Sequence, residues 1–320
     1  MFAALAILAL GALLFAISSG SADIPLADAL RALTGEASQT TESLVRGLRL
    51  PRALTAFAVG GLLAVSGVLM QVLLRNPLAE PYILGTSGGA AVAALGGMIA
   101  GWSTTSVDIA AFGGALGSAL LVFAIAKGSG SFTPTRLLLT GVVLAAGFSA
   151  LTTLLLALSP DQQLRGMLFW LMGDLSFSYS PLRLFVLLLI ITVAGTLTAR
   201  HLDVMALGEL RALSLGVNVS GVRLLMFAAT ALAVAMAVTA VGVIGFVGLV
   251  VPHLIRLVAG SAHRVVLPAS ALAGGALLVI ADTLARSVLA PRQLPVGALT
   301  AAVGVPLFLI IMRHRQAAMR

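Results

Sequence analysis

The sequence predicts an all-α, polytopic membrane protein with about ten transmembrane helices, and three observations carry that expectation. Hydrophobic residues make up 60% of the 320 residues and charged residues only 9%, where a soluble domain carries roughly a quarter charged residues. The charges are placed so that long stretches contain none. Those stretches lack the alternating polarity of a barrel strand, and backbone groups find no water in lipid, so each has to be helical. The same composition excludes a soluble enzyme, a nucleic-acid binder and a disordered chain, since too few polar residues remain to cover a surface. The net charge of +8 comes from basic residues scattered between apolar runs rather than from one basic face. There is no cysteine, hence no disulfide, thiolate metal site or cysteine nucleophile. One membrane domain, 1–320, is expected.

The charge-free stretches run 1–22, 53–74, 81–107, 109–126, 137–160, 184–199, 224–255, 265–281 and 293–312. A bilayer span takes roughly 20 residues. Stretch 1–22 lacks the basic start of a leader and reads as a retained first span. Residues 20–48 then form the longest outer loop. Arg49-Leu-Pro-Arg52 opens the second span, with proline in a first helical turn where it is tolerated; its arginines anchor to headgroups or dock an acidic partner. Arg75-Asn-Pro-Leu-Ala-Glu-Pro81 holds two prolines and is a connecting turn to the third span. Asp108 separates the third from the fourth, and Lys127 ends the fourth. The stretch 224–255 is too long for one helix. Gly242, Gly245, Gly248 and Pro252 divide it into a full span and a shorter broken helix reaching about Ala259, which makes ten segments. Glycine pairs such as Gly60-Gly61, Gly88-Gly89, Gly96-Gly97 and Gly113-Gly114 suit tight helix packing.

Ten segments put both termini on one side. Placing them in the cytoplasm divides the 19 basic residues into eleven inside and eight outside, in the direction of the positive-inside preference. The longest inner loop is then 200–222. After Gly208, apolar Leu210, Leu213 and Val217 recur at helical spacing between Glu209 and Arg211, and Gly216 ends the run. Such a segment lies at the membrane interface or docks in a partner's groove, and the pattern leaves the two open.

No Gly-x-x-x-x-Gly-Lys-Ser/Thr loop is present, so the chain does not hydrolyse ATP by that route. Asp282, four residues before Arg286, is read as an i,i+4 pair rather than a proton relay. His201, His263 and His314 fall at cytoplasmic edges and are read as solvated, and His253 after Pro252 as bonded to a carbonyl freed at the helix break. No histidine has metal-ligand spacing to another, so no metal or other cofactor is expected.

The chain resembles the permease subunits of ABC importers for iron chelates and cobalamin. The resemblance rests on Arg49-Leu-Pro-Arg52, Gly67-Val-Leu-Met-Gln71, Arg75-Asn-Pro-Leu-Ala-Glu-Pro81 with Leu84-Gly85, Ala206-Leu-Gly-Glu209 with Ser214-Leu-Gly216, Gly245-Phe-Val-Gly-Leu-Val-Val-Pro-His253, and Leu294-Pro-Val-Gly297. One departure is Arg292-Gln293, where the family commonly has an acid. The resemblance implies a non-enzymatic subunit in the inner membrane that pairs with a second copy of itself, a cytoplasmic ATPase dimer and a periplasmic substrate-binding protein, and that touches lipid but no nucleic acid. Its cargo would be a ferric siderophore, haem or cobalamin. It implies ATPase coupling through Leu207, Gly208, Glu209, Arg211, Leu213 and Gly216. Docking of the binding protein would fall on Arg49, Arg52 and Arg286. The cytoplasmic gate would lie at Asn76 and around Thr133, Pro134 and Thr135, with the second and fifth spans lining the path. The rival reading is an ion-coupled secondary carrier acting alone, which lacks an unpaired mid-membrane acid in this sequence. A membrane-embedded enzyme lacks a supporting His, Asp and Glu constellation.

Overall fold

The computed structural model describes residues 1–20, 24–127, 133–176 and 181–318. The order is α1 (Phe2–Ser18), α2 (Leu26–Thr34), α3 (Gln39–Glu42), a π-helical turn (Ser43–Arg49) running into α4 (Leu50–Leu73), a 3₁₀ turn (Pro81–Leu84), α5 (Thr86–Ile99), α6 (Thr104–Lys127), α7 (Pro134–Leu158), α8 (Asp161–Met172), α9 (Pro181–Leu197), α10 (Ala199–Ala206), α11 (Glu209–Ser214), α12 (Val219–Val241), α13 (Val247–Ala259), α14 (His263–Ser287) and α15 (Val296–Ala318). Five helical stretches are long and apolar enough to cross a bilayer: Gln39–Leu73, α6, α7, α12 and α14. α9 and α10 add a span bent by 67°, and α1, α5, α13 and Val296–Ile310 are shorter apolar helices. Together these are the ten segments expected from the sequence.

The segments hold, but three expectations of detail do not. The third segment was expected over 81–107, yet α5 begins at Thr86 and ends at Ile99, and the break to α6 falls at Ala100–Ser103. Asp108 is thus inside α6, half-buried rather than a divider. The outer loop 20–48 is largely helical. α2 buries Ala29 and Ala32, which cluster with Ile17 and Val45, and stops where Gly35 takes a left-handed φ of +85°. A further helix, α8, begins just after Pro160, a residue that suits a helix start.

α4 is the centre of the bundle. In its most apolar stretch 89% of residues are buried, against 6% in α7. Leu62, Leu63, Met70 and Leu73 pack with Leu202, Ile244 and Leu267, all fully enclosed. Two glycine contacts set how close its neighbours come. A Cβ on Gly60 would overlap the Gly274 carbonyl of α14, and one on Gly67 would overlap the Gly248 carbonyl of α13. Small residues allow such backbone-to-backbone approach, which gains dispersion energy where no hydrophobic effect acts between helices.

Two interruptions reach into the bundle and meet there. Gly248 packs on Pro81 and on the Leu63 carbonyl. Leu63 lies about ten residues, or roughly 15 Å at 1.5 Å per residue, from the end of α4. The turn after α4 is therefore re-entrant rather than a simple connection at the membrane edge. The Tyr82 hydroxyl accepts from the Ile244 N–H and donates to the Ile244 carbonyl, both at 3.1 Å. Glu80 Oε1 accepts the N–H of Phe246 at 3.0 Å, where the backbone takes a φ of +70° that L-residues rarely adopt. Asp174 donates its N–H to the Val241 carbonyl at 2.8 Å, and Val296 donates to that of Gly173 at 3.2 Å. Backbone groups freed at these breaks, at Val241, Gly173, Ile244 and Phe246, thus find partners inside the protein, as burial in lipid favours.

The glycine seam predicts a contrast. Gly274→Val should force α14 off α4 and destabilise the protein by about 1–3 kcal/mol, the usual range for overpacking. Gly96→Ala, at a position with open space around it, should leave thermal unfolding in detergent unchanged or slightly raised. Equal melting of the two variants would remove the seam from the account.

Candidate functional site

The end of the bundle where α4 starts and α14 finishes carries the expected arginines, and the structure brings all three together. Asp282, buried to 2% exposure, is the common carboxylate of Arg52 and Arg286. Arg52 holds it as a fork, with Nε 2.9 Å from Oδ2 and Nη2 2.8 Å from Oδ1. Arg286, expected to be its partner at i,i+4, approaches only to 3.9 Å. The local i,i+4 pair read from the sequence is present, and the shorter bidentate cross-helix pair with Arg52 is added to it, as planar guanidinium–carboxylate geometry favours. The second nitrogen of Arg52 donates to Gln293 Oε1 at 3.2 Å, and Ser176 donates to the same oxygen at 3.0 Å. Gln293, the departure from the family pattern, thus still supplies an acceptor there.

Arg49 and Arg286 do a different job. Arg49 Nη1 donates to the carbonyls of Ile17 at 2.9 Å and Ser18 at 2.7 Å. Arg286 donates to the carbonyl of Ala16. The last carbonyls of a helix have no intrahelical donors, and these arginines satisfy three of those ending α1 while their charge suits its negative pole. Both guanidiniums flank Gly20.

At the opposite end α9 bends into α10, and Gly208, with a φ of +118° open in practice to glycine, separates α10 from α11. α11 covers only Glu209–Ser214, shorter than the 206–217 pattern, and Gly216 at +77° follows it. Its leucines point outward: Leu210 is 83% exposed, and Leu207, Leu213 and Leu215 are each more than half exposed. Glu209 turns inward and pairs with buried Arg223 at the base of α12, 2.6 Å away. Arg211 is exposed. Two partners here escaped the sequence reading. His263 is buried and paired with Asp203 at 2.6 Å rather than solvated. Gln71 accepts from Arg256 and donates to the Gly248 and Leu249 carbonyls. His201 is exposed as expected, and His253 is buried edge-on against Phe308 at 5.8 Å.

The gate candidates make local turns. Asn76 Oδ1 accepts the Leu78 N–H at 2.9 Å. Thr133 caps α7 by accepting the Arg136 N–H at 3.3 Å, with Pro134 at the first helical position and Thr135 exposed. Among the described residues no group of three His, Asp or Glu side chains could hold a metal.

Residues 7–314 match the FecCD transport family over nearly the whole chain. The chain belongs to that family. A hemin transport system permease protein of Yersinia pestis is 43% identical over 282 residues, covering 84% of this chain and 83% of that one. A cobalamin import system permease protein of Halobacterium salinarum is 41% identical over 281 residues, covering 87% and 75%. Among solved structures, a metal-chelate type ABC transporter in an inward-facing conformation superposes with a TM-score of 0.83 at 30% identity, covering 97% of both chains. This FecCD-family chain is accordingly an ABC-transporter permease of the group that includes hemin and cobalamin permeases. The family motifs coincide with the contacts above. Arg49-Leu-Pro-Arg52 supplies the carbonyl cap and the Asp282 fork, Glu80 and Tyr82 clasp the 242–246 break, and Leu294-Pro-Val-Gly297 seats on Gly173.

The carboxylate is the groups' keystone. Asp282→Ala leaves the two partly buried guanidiniums of Arg52 and Arg286 without it and should cost about 3 kcal/mol, the low end for breaking a buried pair. Thermal unfolding should show a large drop for Asp282→Ala and a smaller one for Arg52→Lys, which keeps charge but loses the fork. Wild-type melting of Asp282→Ala would refute the assignment.

Proposed function

We propose that this chain is the membrane-spanning subunit of a binding-protein-dependent ABC importer for an iron chelate, haem or cobalamin, driven by a separate ATPase. The observation that carries this reading is the α10–α11 segment. It holds outward-facing Leu207, Leu210, Leu213 and Leu215 on and beside the short α11 helix that follows the bent α9–α10 span, and it is tied to α12 through Glu209–Arg223. Apolar side chains displayed on a braced segment suit a partner's groove, and the chain itself has no nucleotide loop. In this reading the segment and both termini face the cytoplasm, in the inner membrane. Leu207, Gly208, Leu213 and Gly216 shape the contact, Arg211 borders it, and Glu209 braces it rather than touching the partner.

The sparse burial of α7, the fifth span, supports pairing with a second copy and a translocation path along that helix, with the gate near Asn76 and Thr133–Thr135; the second span, α4, also expected to line the path, is enclosed at the centre of the bundle instead. At the other end, the guanidiniums of Arg49 and Arg286 lie together beside Gly20, and Arg52 and Arg286 share Asp282. This gathering of guanidiniums at one end supports Arg49, Arg52 and Arg286 as the patch that receives acidic side chains of the binding protein. Capture should weaken with salt, because exposed pairs are screened beyond about a Debye length.

Two measurements test this. Purified chain should co-isolate with an ATPase, and uptake into vesicles should require ATP and the binding protein. Leu213→Glu should abolish ATPase association or uncouple hydrolysis from uptake, since an unpaired charge buried at a contact costs several kcal/mol. Uptake driven by an ion gradient with no ATPase present would sink the importer reading in favour of a secondary carrier.

A further inference from the structure

At the α10–α11 end a cleft of about 500 Å³ opens between the end of α4, the α10–α11 junction and the α13–α14 turn. Six residues define its chemistry: Gln71, Arg75, Asp203, Leu207, Arg256 and His263. Its one lining carboxylate is already engaged, for Asp203 Oδ1 accepts both the backbone N–H of His263 at 3.0 Å and its ring Nδ1–H at 2.6 Å. The two arginines are differently placed. Arg256 donates one terminal nitrogen to Gln71, whose amide is fixed by two α13 carbonyls. Arg75 is exposed on a backbone with φ of +48°, and its guanidinium lies beside Gly208. Among the described residues neither arginine pairs with a carboxylate.

The cleft therefore presents two guanidiniums without a carboxylate, and its lip is Leu207, the first outward leucine of the docking segment. Whatever covers Leu207 also closes the cleft. A guanidinium accepts a carboxylate through two parallel hydrogen bonds, and a partner seated on the leucines would carry its own side chains over both arginines.

We propose that this cleft receives an acidic side chain of the ATPase subunit, held by Arg75 and Arg256, beside the apolar contact of α10–α11; this rests on the ATPase reading above. The leucines then supply apolar burial, and the cleft supplies charge complementarity and register.

The test titrates the co-isolating ATPase onto the permease in nanodiscs of neutral phosphatidylcholine across a salt series. Arg75→Glu and the milder Arg75→Gln change an exposed turn residue, and both should elute and melt as folded protein. Arg75→Glu should weaken ATPase binding roughly tenfold or more, with a flatter salt dependence, and Arg75→Gln should fall between it and wild type. Wild-type affinity and salt slope in Arg75→Glu, with Leu213→Glu still abolishing binding, overturns the cleft and leaves the ATPase reading standing. Wild-type binding by Leu213→Glu overturns the ATPase reading and the cleft with it. A defect in Arg75→Glu that emerges only when anionic phosphatidylglycerol is added shows a lipid phosphate in the cleft and overturns the proposal.

Discussion

The structure depends on one constraint: a backbone N–H or C=O inside a bilayer must find its partner in the protein. A bundle of unbroken helices meets it trivially. This one does not, because it interrupts the chain after α4, after α8 and between α12 and α13. The interruptions satisfy one another. The Tyr82 hydroxyl serves both backbone groups of Ile244, Glu80 takes the Phe246 N–H, and Asp174 and Val296 complete the exchange with Val241 and Gly173. Glycines at 67 and 248 let these breaks approach α4 closely enough to meet. Short helices and sharp bends inside the bundle are tolerated because this meshwork holds.

Much of the fold was legible because it is a one-dimensional property. Charge-free length marks a span, and ten spans emerge from it. The short α11 helix was legible too, since Gly208, Leu210 and Leu213 form a local pattern. What failed was inference that used a single charge as a boundary. Asp108 divides two stretches on paper, but the true division is at Ala100–Ser103, where Gly101 turns with a left-handed φ. The small amphipathic helix α2 was passed over because its buried face is mostly alanine, a weak apolar signal.

Partnerships across long sequence separations were not legible at all. The local rule pairs Asp282 with Arg286, which the fold keeps, but it does not reveal the tighter partner Arg52, 230 residues away. The rule is correct about helix geometry; what it misses is that the carboxylate has room for a second guanidinium, and the fork with short hydrogen bonds comes from another helix. His263 was assigned to solvent for the same reason, its partner Asp203 being 60 residues distant. Family resemblance located these motifs without explaining them. The geometry does so: the arginines cap α1 and hold Asp282, and so tie the ends of α1, α4 and α14 together.

The cap on α1 also has a temporal meaning. Spans enter the membrane in order as the ribosome makes them, yet the Ala16 carbonyl is met by Arg286, synthesised 270 residues later. Arg49 arrives early and can hold α1 loosely to α4. Arg286 arrives only when α14 is inserted, and with Asp282 it locks the first helix to one of the last. The bundle is thus closed by its late spans, and a nascent chain stalled before α14 exposes a half-tethered α1 to whatever quality control surveys the bilayer.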